Sequence, residues 1–130
     1  DALDTIFSCE YTKDSDVGTY VITPTDCTFT SGVKNNYNIE YVNGTLSVYG
    51  SSYNKASKTV KIYSNHDTDV DCYVVSYAEN GTLDGIKKEH CSLKADKIST
   101  IDISSLKISE NDSIKIFLWD NNLTPVEITN

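Results

Sequence analysis

Val70-Asp71-Cys72-Tyr73-Val74-Val75-Ser76-Tyr77 is the stretch on which the fold turns. It is rich in β-branched and aromatic residues, and polar and apolar side chains alternate through most of it, the period of a half-buried strand. Asn80-Gly81 and Asp84-Gly85 follow as turn signals, and Ile86 to Leu93 runs back, so the segment predicts an antiparallel hairpin. On the C-terminal side, Ser113 to Asp120 is the strongest strand. Asn121-Asn122 then turns the chain and Leu123 to Ile128 closes it. Ile98, Ile101 and Ile103 predict a short strand between hairpin and end. On the N-terminal side, Val60 and Ile62 alternate with Lys61 and Tyr63, and Thr19 to Pro24 alternates likewise. Tyr37, Ile39 and Tyr41 alternate with Asn38, Glu40 and Val42, and Leu46 and Val48 follow the turn dipeptide Asn43-Gly44. Short helices near Ser92 to Lys97 or Ser104 to Asn111 are the one rival: Lys94-Ala95-Asp96-Lys97 has the composition for one turn, Ser104-Ser105-Leu106-Lys107 lacks an apolar face, and both segments read as loops. Turn signals every ~8–12 residues with few helical periods point to an all-β chain built as an antiparallel β-sandwich.

Composition narrows the function. The 130 residues carry 11 Lys and Arg against 19 Asp and Glu, a net charge of −8. Nucleic-acid affinity comes mainly from clustered Lys and Arg, so no nucleic-acid partner is expected. The bulkiest apolar run, Ile116-Phe117-Leu118-Trp119, is far below the ~20 residues of a membrane helix, and no membrane insertion is expected. The absence of Met at the first position and of an apolar leader reads as a mature or excised segment.

The character of the chain changes at Tyr49-Gly50-Ser51-Ser52-Tyr53, read as a strand end followed by a small flexible stretch. This divides it into residues 1–49 and 50–130. In the first part, Asp16-Val17-Gly18-Thr19-Tyr20 and then Asn36-Tyr37 and Gly44-Thr45-Leu46 resemble the C-terminal part of an MBG-type domain of bacterial surface and adhesin-like proteins. The family's tyrosine-glycine opening has no counterpart here. The resemblance implies a β module that begins inside the domain or has lost a strand. In the second part, Tyr77-Ala78-Glu79-Asn80-Gly81-Thr82-Leu83, then Ile114 to Asp120 with Pro125, resemble β-sandwich modules at the ends of secreted clostridial proteins. That likeness implies an immunoglobulin- or fibronectin type III-like sandwich over residues 50–130, used as a spacer or surface-contact domain.

Four cysteines stand at Cys9, Cys27, Cys72 and Cys91 with no C-x-x-C pair, which disfavours zinc. A hairpin turning at Asn80-Gly81-Thr82 places Cys72 opposite Cys91, which predicts a cross-strand disulfide. Cys9 with Cys27 would keep the second bridge inside its own module. Disulfides suit an exported protein, and four buried reduced thiols are the alternative.

No G-x-S-x-G, H-E-x-x-H or P-loop pattern is present. His90 precedes Cys91, but strand alternation puts the two on opposite faces, against a Cys–His dyad between them; Cys72 with His90 is the remaining option. The expectation is therefore a non-enzyme. Asp67, Asp69 and Asp71 would share one strand face, where calcium could relieve their repulsion, although EF-hand spacing is absent. No other cofactor is expected. Phe117 and Trp119 share a face opposite Ile114, Ile116 and Leu118, and offer either packing surface or rings for sugar stacking. The expected function is a structural or adhesive module of a secreted, multidomain bacterial cell-surface protein. Its partners would be other domains of that protein, or a host protein or glycan. The alternative is a carbohydrate-binding accessory module of a secreted glycoside or cell-wall hydrolase.

Overall fold

A computed structural model of the chain describes residues 3–128. It is all-β, with nine strands among the described residues in three antiparallel three-stranded sheets, and one short 3₁₀ turn at Lys34–Asn36. The strands are β1 (Leu3–Cys9), β2 (Gly18–Phe29), β3 (Gly44–Val48), β4 (Gly50–Asn54), β5 (Thr59–Tyr63), β6 (Thr68–Tyr77), β7 (Leu83–Leu93), β8 (Ile98–Asp102) and β9 (Ser113–Trp119). The chain forms two compact units. One comprises residues 1–15 and 19–47, the other residues 16–18 and 48–130.

The larger unit is a two-layer sandwich. One sheet has the order β4-β5-β8 and the other β7-β6-β9. β5 and β6, the middle strands of the two sheets, send alternate side chains into the shared core, and Tyr63 and Val75 between them are buried as well. Val60 and Ile62 from β5 with Ile101 from β8 and Ile103 just beyond it supply one layer. Val70, Cys72 and Val74 from β6, with Cys91 and Leu93 from β7, supply the other. Ile114, Ile116 and Leu118 pack against this cluster from β9. β7 follows β6 and stays in its sheet, β8 crosses over to pair with β5, and β9 returns to pair with β6. That places β4, β5 and β8 against β7, β6 and β9 in a fibronectin type III-like arrangement.

Buried polar groups in this unit are satisfied. Ser76 is fully buried on β6, and its hydroxyl donates to the carbonyl of Lys107 at 2.7 Å, which pins the 104–112 loop to the sheet. Ser64, also buried, donates to the carbonyl of His66 at 2.8 Å. Lys87 points to the core side from edge strand β7 and extends its ammonium to the carbonyl of Asp102 at 2.8 Å.

β4 is the strand that sequence reasoning missed, because Gly50-Ser51-Ser52-Tyr53-Asn54 reads as a flexible stretch of weak β formers. It pairs with β5 along its whole length. Its polar side chains are the reason it is ordered. The Val17 N–H donates to Ser52 Oγ at 3.0 Å, Ser52 Oγ donates to Asp16 Oδ1 at 3.4 Å, and Asn54 Nδ2 donates to Asp16 Oδ2 at 3.2 Å. Lys61 of β5 adds an ion pair to Asp16 at 3.4 Å. Residues 16–18 thus belong to the sandwich, with Val17 buried there.

The smaller unit is a single sheet of order β1-β2-β3. β1 and β2 pair from Leu3↔Phe29 to Cys9↔Ile22, with a bulge between Ile6 and Phe7. Cys27 is the buried side chain among its described residues. Phe7 remains 63% exposed and Val42 73%. Two expectations fail here. Tyr37 to Val42 is not a strand, although its aromatic residues still lie along β2: the Phe29 and Tyr37 rings are 5.2 Å apart and the Tyr41 hydroxyl reaches Cys27 Sγ at 3.6 Å. Asn43-Gly44 is not a hairpin turn either. Gly44 is the first residue of β3 and lies outside the left-handed region. At the other end of the chain, Leu123 to Ile128 forms only an isolated bridge, Trp119↔Pro125, because Pro125 has no N–H to extend the ladder.

The described residues contain no helix long and apolar enough to cross a membrane.

Candidate functional site

The cysteines are all free thiols. The proposed opposition of Cys72 and Cys91 is corrected by the β6–β7 register, in which Cys72 faces Glu89 and Cys91 faces Val70. The cause is the turn. The Ala78 N–H donates to the Thr82 carbonyl and the Gly81 N–H to the Ala78 carbonyl, both at 2.8 Å, and Gly81 has φ +87°. This is a three-residue loop ending in a left-handed glycine. With the bulge at Ser76/Tyr77 it slips the pairing by two residues from the expected one. The two thiols become diagonal neighbours on the core face, where Cα atoms sit about 7–8 Å apart, beyond ordinary bridging distance. Burial pushes the Cys72 thiol up to about 12, with smaller contributions from Cys91 and Glu89; Cys91 is also raised, first by burial. Such thiols are protonated packing groups rather than nucleophiles. The Cys9–Cys27 pairing also fails. Cys9 lies opposite Ile22 and Cys27 opposite Thr5, which separates them along the ladder by about 15 Å at ~3.3 Å per residue.

The three aspartates do not converge on a metal. Among the described residues no group of three or more His, Cys, Asp or Glu could hold one. Each carboxylate is instead handled separately. Asp67 accepts the Ala95 N–H at 2.8 Å and pairs with Lys94 at 3.6 Å; these two interactions, in that order, hold its carboxyl below the usual range. Asp71 is bonded to His90 Nδ1 at 2.9 Å and lies 3.8 Å from Lys88. Asp69 is exposed, opposite Ser92. His90 faces the solvent side with Asp71, whereas Cys72 is fully buried in the core, so the Cys72–His90 dyad is also corrected.

Phe117 and Trp119 are brought into a cluster that the local sequence pattern could not reveal. The β6 register puts Trp119 opposite Asp71, Phe117 opposite Tyr73 and Lys115 opposite Val75. On the other side of β6, His90 faces Asp71, Lys88 faces Tyr73 and Ile86 faces Val75. The outer face of this sheet therefore reads in rows: His90, Asp71, Trp119; then Lys88, Tyr73, Phe117; then Ile86, Val75, Lys115. The Tyr73 and Trp119 rings are 5.0 Å apart and tilted by 50°, and those of Phe117 and Trp119 are 5.6 Å apart and tilted by 43°. Lys88 Nζ lies 5.8 Å from the Tyr73 ring centre and Lys115 Nζ 5.6 Å from that of Tyr77. All three clustered rings are half-buried. Tyr73 could be found only by pairing β6 with β9, a long-range relation that period-two reading does not supply.

Beside this cluster a groove of about 330 Å³ runs along the free side of β9, lined among others by Phe117, Trp119, Pro125 and Val126. The smaller unit has a separate apolar groove of about 320 Å³ over β1, lined by Leu3, Phe7, Cys27, Ile39 and Tyr41 among others.

Comparison with known proteins reaches the first part of the chain alone. Residues 1–47 match the family described as MBG domain (YGX type). No curated protein and no solved structure matches the chain. The clostridial likeness of the second part rests on its own sequence.

Proposed function

We propose that this chain is a non-catalytic structural or adhesive module of a secreted, multidomain bacterial cell-surface protein. The observation that carries the reading is the match of residues 1–47 to the MBG domain, a type of module typical of extracellular surface proteins. The geometry agrees with it in three ways. Both compact units are pleated sheets. Cys72 and Cys91 are turned into the core as protonated thiols, and His90 is engaged by a carboxylate on the open face. The partners would be neighbouring domains of the same surface protein, or a host protein or glycan. Antibody raised against the purified chain should label intact cells of the source bacterium. Labelling that appears only after permeabilisation contradicts the reading.

A second reading has its own support in the Tyr73–Phe117–Trp119 cluster. Half-buried aromatic rings beside Asp71, His90 and Lys88 offer faces for sugar C–H groups and polar atoms for hydroxyls, as a carbohydrate-binding accessory module requires. Saturable retardation in a polysaccharide affinity gel, lost in Trp119→Ala with an unchanged melting temperature, supports this reading. Absence of retardation removes it.

A further inference from the structure

We infer that Asn43 is a site of spontaneous, succinimide-forming deamidation, and that the fold protects Asn80, which stands in the same Asn-Gly-Thr tripeptide. This inference is independent of both functional readings above.

Asn43-Gly44-Thr45 and Asn80-Gly81-Thr82 are identical in sequence. In each, the backbone nitrogen of a glycine follows an asparagine amide, and the missing Cβ leaves its approach open. Attack forms a bond from that nitrogen to the asparagine Cγ. The proton of the glycine N–H passes through water to the side-chain amino group, which leaves as ammonia. A five-membered succinimide remains. Water then opens either carbonyl of the ring and yields aspartate or isoaspartate, so water is the one co-reactant.

The two tripeptides meet different surroundings. At Asn80 both reacting groups are committed. The Gly81 N–H donates to the Ala78 carbonyl at 2.8 Å. Asn80 Oδ1 accepts the Thr82 N–H at 3.1 Å and the Thr82 hydroxyl at 2.7 Å. The Ala78 N–H closes the same loop on the Thr82 carbonyl at 2.8 Å. Cyclisation must swing the amide onto the Gly81 nitrogen and so must break this network. At Asn43, among the described residues, the side chain makes no hydrogen bond. Asn43 is exposed and outside any strand, and Gly44 is the exposed first residue of edge strand β3. A strand end at a sheet edge opens at little cost, which frees the Gly44 nitrogen for attack. Releasing several hydrogen bonds before reaction at Asn80, against a frayed end at Asn43, sets a rate difference of roughly tenfold or more. Residue 43 falls within the stretch that matches the MBG domain. Conversion there adds a negative charge, and the isoaspartate form lengthens the main chain by a methylene at the entrance to β3.

The test follows both asparagines in one sample of the full chain incubated at mildly alkaline pH. Peptide mass spectrometry reads conversion, with fragmentation that separates aspartate from isoaspartate. The expected result is conversion at Asn43 roughly tenfold or more faster than at Asn80 in the native chain, and comparable rates in urea. Thr82→Val should speed conversion at Asn80. Gly44→Ala should slow conversion at Asn43; its Cβ would sit 3.7 Å from Ile22, an ordinary contact, so this variant keeps the fold. Equal native rates, or a faster Asn80, overturn the inference. A native difference that persists unchanged in urea also overturns it, because flanking residues and not the fold would then set the rates. Slower conversion of Asn80 in Thr82→Val would mean that the Thr82 donors activate the amide, and overturns the protection.

Discussion

The two compact units of this chain use the same backbone pattern and reach different degrees of burial. In the sandwich, two sheets face each other, and alternation sends Val60, Ile62, Val70 and Val74 into a shared interior where each is essentially inaccessible. In the smaller unit, the same alternation along β1 and β2 produces an apolar face without a second layer of its own. Leu3, Ile6 and Phe7 are each at least half exposed, and a groove opens over Cys27. Alternation therefore specifies which side chains share a face, and burial requires an opposing layer in addition. An isolated sheet of this size is marginal, because stability in small β units comes from the layer packed against them.

The largest effect expected from this contrast is at Ile62. Ile62→Ala should destabilise the sandwich by about 2–5 kcal/mol, as a buried large-to-small change does. Ile6→Ala in β1, at an exposed position, should change stability by under about 0.5 kcal/mol. Urea unfolding of the two variants compares them, and equal losses would erase the distinction between the units.

Next come two glycines of the same hairpin, which separate packing from backbone strain. A Cβ at Gly85 would lie 2.9 Å from Leu106 Cδ1 and 3.0 Å from the Lys107 carbonyl oxygen. Leu106 can turn aside but the carbonyl is held by Ser76, so Gly85→Ala should cost about 1–3 kcal/mol. At Gly81 an added Cβ meets nothing within 4 Å, and only the φ of +87° opposes it. Gly81→Val should cost about 1 kcal/mol through the backbone alone. Thermal melts order the two. A larger loss at Gly81 would mean that turn conformation outweighs packing in this hairpin.

The smallest effects concern the thiols. Under native conditions an alkylating reagent should label the exposed Cys9 first and leave Cys72 unmodified, with all four thiols labelled after denaturation without reductant. Mass spectrometry reads the count. Folding raises Cys72 from the ordinary 9.0 to about 12, so the native state holds this proton more tightly than the unfolded chain. Its contribution to stability is intact below pH 9 and is lost as pH rises toward 12. A Cys72→Ser variant that keeps the same alkaline loss would assign the effect to another group.

The sheet elements that were legible in the sequence are those with strong side-chain signals. β6, β7 and β9 carry β-branched and aromatic runs, and Asn80-Gly81 marks a real reversal. What stayed hidden depends on partners distant in sequence. β4 is built from serines whose order comes from Asp16 and Val17, more than thirty residues earlier. Asn43-Gly44 has the composition of a turn, but the chain enters β3 there without reversing. The cysteine register is not fixed by the turn signal, because the reversal is centred on Asn80 rather than between Gly81 and Thr82, and the bulge at Ser76/Tyr77 shifts the pairing again. Of the candidate site, Phe117 and Trp119 were visible as one strand face. Tyr73, Lys88 and Lys115 join them only through the pairing of β6 with β7 and β9.

Native-state amide exchange tests the central contrast most directly, because it reads local opening along the whole chain. The account predicts the slowest exchange in β5 and β6, around Ile62 and Val74, and exchange faster by orders of magnitude throughout β1 and β2. Equal protection of β1 and the sandwich strands in the isolated chain would contradict it.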